Sequence, residues 1–177
     1  MGSDGMIAYF NSETWTNGVI ATDLNFCDVW GTADDNVYAV SCGEAFSRKG
    51  DIYHYDGVSW SEVKHFEDMA VNTVFGTSAS DIFVAGDYGR VYHFDGDSWS
   101  QMLAIGSNFS LMALHGNASN NIYSVDAQGR VAHYDGQSWT VALEGTGNVY
   151  MGFHAVWVDS SGEIFVGGQG RKMYQSK

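Results

Sequence analysis

Apolar and polar positions along the chain alternate in short runs broken by small polar turns, and no window sustains a helical period. Val29-Trp30-Gly31 leads through Ala33-Asp34-Asp35-Asn36 to Val37-Tyr38-Ala39-Val40. The same order returns from Val74-Phe75-Gly76 to Ile82-Phe83-Val84-Ala85, and from Leu114-His115-Gly116 to Ile122-Tyr123-Ser124-Val125. It returns once more from Val156-Trp157-Val158 to Ile164-Phe165-Val166-Gly167. Each is a pair of strands, rich in β-branched and aromatic residues, joined by a tight turn. A second pair follows in phase. Ile52-Tyr53-His54-Tyr55-Asp56-Gly57-Val58-Ser59-Trp60 recurs at residues 91–99 and 131–139, and a worn copy at residues 7–15 opens the chain. Its Asp-Gly-x-Ser stretch predicts a hairpin turn in which glycine takes the positive φ that other residues resist.

Together the two pairs supply four strands in about 40 residues, the period of a propeller blade. The expected fold is all-β: a β-propeller of four-stranded antiparallel blades, forming a single domain over residues 6–177. Residues 1–5 read as a tag remnant and residues 6–20 as N-terminal strands. The blades read as residues 26–66, 72–105, 111–146 and 153–177. Counting a weak copy around Met173-Tyr174, the chain opens and ends on the third strand of the unit. That phase predicts four blades, closed by the N-terminal strands pairing with the last one. Five blades, or a larger ring completed between copies, are the alternatives, so monomer and homo-oligomer both stay open. Closure matters because a blade must stack on a neighbour to cover its aromatic face. Burying one tryptophan removes about 150–250 Å² from water, roughly 4–6 kcal/mol.

The pattern resembles bacterial propeller repeats that read Val-Trp-Gly, a polar turn, Val-x-Ala-Val-Gly, Gly-x-Ile-x-His-Tyr-Asp-Gly and Ser-Trp. Residues 29–60 and 74–99 carry it most clearly. At the Asp-Gly-x-Ser-Trp element it is also similar to kelch-type and Asp-box propellers. Asp56, Gly57, Ser59 and Trp60 are spaced one residue tighter than an Asp-box, and no Trp-Asp pair ends a blade. The resemblance implies the fold. Propellers serve as binding modules, lectins, hydrolases and lyases, so function has to come from the site.

Composition narrows the partners. Of 177 residues, 8 are Lys or Arg and 21 are Asp or Glu, a formal charge of -13 that argues against nucleic acid. No apolar run is long enough for membrane insertion. The few bases are unevenly placed. Arg90, Arg130 and Arg171 each follow a glycine in the loop between strands two and three, and the longer loop of the first blade ends in Arg48-Lys49. That loop face, shared with the loops between strands four and one, is the expected ligand face. Its guanidinium groups suit a carboxylate or sulfated ligand; local ion pairing with the abundant acids is the alternative.

Other candidates follow from repeat position. Trp30, Phe75, His115 and Trp157 share one place on the innermost strand, where they serve packing or stack on a sugar. His54, His93 and His133 share a place on the third strand. A metal would need them to converge; on successive blades they diverge, so each is expected to hydrogen-bond within its blade. Neither metal nor cofactor is expected. Asp56, Asp95 and Asp135, with Trp15, Trp60, Trp99 and Trp139, read as structural repeat elements, because a catalytic pair should occur once rather than on every blade. His65, Glu67 and Asp68, expected in one upper loop, with Asp23 in another, are the group from which an acid/base site would be drawn, but no residue is assigned as catalytic. Cys27 and Cys42 are equidistant from the Asp34-Asp35 turn. A disulfide across that hairpin fits an extracytoplasmic protein, with two buried thiols as the alternative. The resulting expectation is a non-enzymatic module that binds a protein or glycan through Arg90, Arg130, Arg171, Trp30, Trp157 and His65. A propeller hydrolase or lyase acting on a glycan, or an assembly unit that oligomerises, are the alternatives.

Overall fold

The computed structural model describes residues 5–10, 12–20, 24–43, 48–102, 109–145, 152–169 and 173–175. Among them are seventeen strands and no α-helix. They divide into two compact units, residues 1–71 and 72–177.

The first unit contains a hairpin, β1 (Met6–Phe10) and β2 (Trp15–Val19), and a four-stranded antiparallel sheet. The sheet runs β3 (Phe26–Ala33), β4 (Asn36–Ser41), β5 (Gly50–Tyr55) and β6 (Trp60–Phe66), in sequence order. Ile20, Phe26 and Ala39 form one buried cluster of this unit, with Ile7, Tyr53 and Trp60 packed against them.

The second unit holds three sheets. The first is β7 (Val71–Ser78), β8 (Asp81–Gly86), β9 (Val91–Phe94) and β10 (Trp99–Gln101), with one 3₁₀ turn at Asp87–Gly89. The next is β11 (Leu111–Ala118), β12 (Asn121–Asp126), β13 (Val131–Tyr134) and β14 (Trp139–Leu143). The third is β15 (Phe153–Val158), β16 (Ile164–Gly168) and β17 (Met173–Gln175). Val125, Val131, Phe153, Val156 and Val166 pack together where the second and third of these sheets meet.

The repeat motif explains each sheet. Phe10, Tyr55, Phe94 and Tyr134 lie directly opposite Trp15, Trp60, Trp99 and Trp139 in their hairpins. Their ring centroids are 5.2, 5.3, 5.2 and 5.2 Å apart. Cross-strand aromatic pairs of this kind set hairpin register. The turns between them are held by aspartate. Asp95 Oδ1 accepts the N–H groups of Asp97 and Ser98 at 3.0 and 2.9 Å, and Asp56 and Asp135 do the same in their own turns. These bonds to the charged form hold all three carboxyls below the usual carboxylate range. Gly96 sits at φ +97°, and a Cβ there would lie 2.8 Å from Cβ of Ser80 in the β7–β8 turn. Gly57 and Gly136 stand in the same relation to Asp35 and Asn120. Glycine thus lets one hairpin turn lie on the other.

The third-strand histidines stay inside their sheets. His54, His93 and His133 rest on Tyr38, Phe83 and Tyr123 across the ladder, at 4.5, 4.3 and 4.5 Å. Their Nε2 atoms lie 2.8, 2.7 and 2.9 Å from Asn36, Asp81 and Asn121.

β1 and β2 pair with each other, and β17 pairs with β16. One register expectation is corrected. Symmetry about Asp34-Asp35 holds only at Ala33↔Asn36. One-residue bulges then shift the register, so that Trp30 faces Tyr38 and Phe26 faces Ser41. Cys27 falls on the second bulge rather than opposite Cys42. The bulge still leaves the two Cα atoms 5.8 Å apart, and the residues are joined in a disulfide.

Candidate functional site

In the second unit the innermost strands β7, β11 and β15 are tied by side chains that reach the neighbouring backbone. Asn72 donates to the Leu111 carbonyl at 3.0 Å, Thr73 Oγ1 accepts from Leu114 N–H at 3.2 Å, and Asn117 donates to the Asp159 carbonyl at 2.8 Å. Val158 N–H donates to Nδ1 of His115 at 3.0 Å. Inner-strand edges have backbone groups that no ladder satisfies, and these polar side chains supply the partners.

This arrangement aligns the shared aromatic position. Phe75 and His115 have ring centroids 5.2 Å apart, and His115 and Trp157 are 6.3 Å apart. Trp157 also meets Phe165 across its own ladder at 5.8 Å. The line runs from Phe75, 9% exposed, to Trp157, 52% exposed. Burial pushes the His115 imidazole below its ordinary pKa. With Nδ1 accepting a hydrogen bond, the neutral ring carries its proton on Nε2. The result is an aromatic surface with a flat exposed end and a polar donor beside it, the composition that stacks on sugar rings or planar side chains. Trp30 occupies the same repeat position in the first unit, half-buried with its ring 6.5 Å from Tyr38.

The basic residues have local neighbours. The Arg90 guanidinium lies over the Tyr88 ring at 5.3 Å. Arg130 Nε is 3.9 Å from both Asp126 Oδ2 and Glu144 Oε2. Arg171 and Asp23 lie outside the described residues.

His65, expected in a loop, lies on β6 directly opposite Asp51 of β5. Its Nδ1 is 2.5 Å from Asp51 Oδ1, and its Nε2 is 3.3 Å from Glu67 Oε1. The Asp51 hydrogen bond, followed by the charges of Asp51 and Glu67, raises the His65 pKa. Lys49 reaches Glu67 at 3.0 Å and, more than any other group, holds that carboxyl below its usual range. Sequence reasoning found His65 and Glu67 but missed Asp51, which joins them only through the β5–β6 register.

No family model and no curated protein matches this chain. Solved structures do. YCF48 bound to D1 peptide matches with a TM-score of 0.72 at 16% identity, over 99% of this chain and 59% of that one. A virginiamycin B lyase from Staphylococcus aureus matches with a TM-score of 0.73 at 12% identity, over 98% and 63%. The SapL1 lectin in complex with alpha methyl fucoside matches with a TM-score of 0.65 at 15% identity, over 93% and 65%. This is a β-propeller fold. The chain spans about three-fifths of the length of the first two neighbours. Those three propellers include a peptide-bound protein, a lyase and a lectin, and their identity to this chain is low enough that they speak for the fold alone.

Proposed function

We propose that this propeller is a non-enzymatic binding module whose ligand, a protein or a glycan, stacks on Trp157. The observation that carries the reading is the aromatic line itself. Trp157 is half exposed, yet its position is fixed by His115 on one side and Phe165 on the other. A rigid exposed aromatic loses little conformational entropy when a ligand covers it, so more of the stacking energy appears as affinity. His115 Nε2–H supplies a directional donor next to that surface. Arg90, Arg130 and Arg171, which belong to the same unit as Trp157, take secondary roles toward acidic or polar groups of the ligand. A peptide-bound neighbour and a fucoside-bound neighbour support the ligand classes. The test is a paired screen of the purified chain on a glycan array, with neutral and sulfated sugars, and on a peptide array. Hits shared by the wild type and lost in Trp157→Ala support the reading; two blank arrays contradict it.

A further inference from the structure

Asp51, Glu62 and His65 each bring one ligand atom within 4.8 Å of the others on the β5–β6 pair. A bulge assembles them. β5 and β6 pair Asp51 with His65 and Tyr53 with Glu62, and the register slips by one residue between those pairs. On an unbroken strand, positions 62 and 65 face opposite sides. The extra residue, Val63, reverses the phase and turns Glu62 to the face that carries Asp51 and His65.

The group is braced from behind. Asp51 is 3% exposed. Ser41 Oγ–H donates to Asp51 Oδ2 at 3.1 Å, while the same Oγ accepts the Asp51 N–H at 2.8 Å. The second oxygen, Oδ1, is turned toward His65. On the far side of the imidazole, Glu67 faces Nε2 and is itself held by Lys49.

We propose that this group binds a divalent transition cation of the Zn²⁺ class, with His65 Nδ1 and one carboxylate oxygen from each of Asp51 and Glu62 as ligands. Imidazole with carboxylates is a donor set for such ions. Metal–ligand lengths of about 2.0–2.2 Å place ligand atoms about 3–3.5 Å apart, a spread that the 4.8 Å cluster accommodates. The ion takes the place of the proton between His65 and Asp51. Nε2–H then donates to Glu67, the carboxylate–imidazole–metal relay that orients a histidine ligand. Three carboxylates gathered round one imidazole and one lysine also favour a dication over a single proton. Three protein donors leave a fourth position for water or an outside ligand.

Calorimetric titration of the full chain with zinc chloride near neutral pH tests this. One saturable site is expected. Glu62→Gln and His65→Gln each weaken it by at least ~10-fold, and Glu67→Gln, which only orients the ring, weakens it by ~10-fold or more. In the wild type, the His65 ring resonances are the imidazole signals that shift at one equivalent. Glu62 and His65 are both exposed, and circular dichroism checks that the variants keep the fold. Absence of saturable binding by the wild type, or wild-type affinity in either Glu62→Gln or His65→Gln, overturns the proposal.

Discussion

Val158 N–H donates to Nδ1 of His115 at 3.0 Å, linking two adjacent inner strands through an imidazole rather than through a ladder. The bond requires the ring to be neutral at Nδ1. Burial acts in the same direction, holding His115 below the ordinary histidine pKa, and it lowers His133 as well. His65, between Asp51 and Glu67, is shifted upward.

These shifts predict an order of titration. By imidazole NMR, His115 and His133 should titrate below about 6.5 and His65 above it. Stability resting on the neutral rings of His115 and His133 is present above about pH 6.5 and is lost as pH falls through their lower folded values. The His65 contribution has the opposite sign: it is complete below about pH 6.5 and is lost as pH rises through the elevated folded value. A His115 that titrates above His65 would refute the assignment.

The turn-on-turn packing separates two glycines that share a positive φ. Gly96, at +97°, faces Ser80 at close range, whereas Gly162, at +91°, has nothing within 4 Å of an added Cβ. Gly162→Ala should therefore cost only the dihedral term, about 1 kcal/mol. Gly96→Ala should cost about 2–4 kcal/mol, because a clash adds to it. Chemical denaturation of the two variants reads the difference, and equal losses would show that the turns do not bear on each other.

The fold was legible because its determinants are local. The Asp-Gly-x-Ser turn and the aromatic facing each Trp are spaced along a single hairpin, so Tyr55 and Trp60 could be paired by counting. Residues whose partners depend on bulges were not legible in this way. The extra residue at Cys27 moved the disulfide off the expected register, and Val63 hid the relation of Glu62 to His65. The Arg130 neighbours, Asp126 and Glu144, lie on different strands or loops. No spacing in the sequence indicates which acid a long basic side chain will meet.

The Cys27–Cys42 bond closes a loop with a sequence separation of 15. Chain-entropy arguments give about 3 kcal/mol for such a loop. Reduction, or the double replacement Cys27→Ser with Cys42→Ser, should lower Tm on the order of 6–12 °C. Thiol titration of the oxidised, unfolded protein should find no free cysteine, and two titratable thiols would contradict the bond.

The second repeat uses Asp81 where the first and third use Asn36 and Asn121 against histidine. Asp81→Asn recreates the neighbouring arrangement, with Thr77 still beside it, and should change stability by less than about 1 kcal/mol. Asp81→Ala leaves a half-buried imidazole without its partner and should cost about 1–2 kcal/mol. Thermal melts of the two variants decide. Equal destabilisation would mean that the hydrogen bond to His93 is not what holds the strand.

Stacking on Trp157 is tested most directly by the dissociation constant of a ligand recovered from the arrays, measured for the wild type and for Trp157→Ala under the same conditions. The predicted result is a ~10–100-fold weaker constant in the variant, measured well below its Tm with circular dichroism showing that the fold is kept. An unchanged constant would contradict the account.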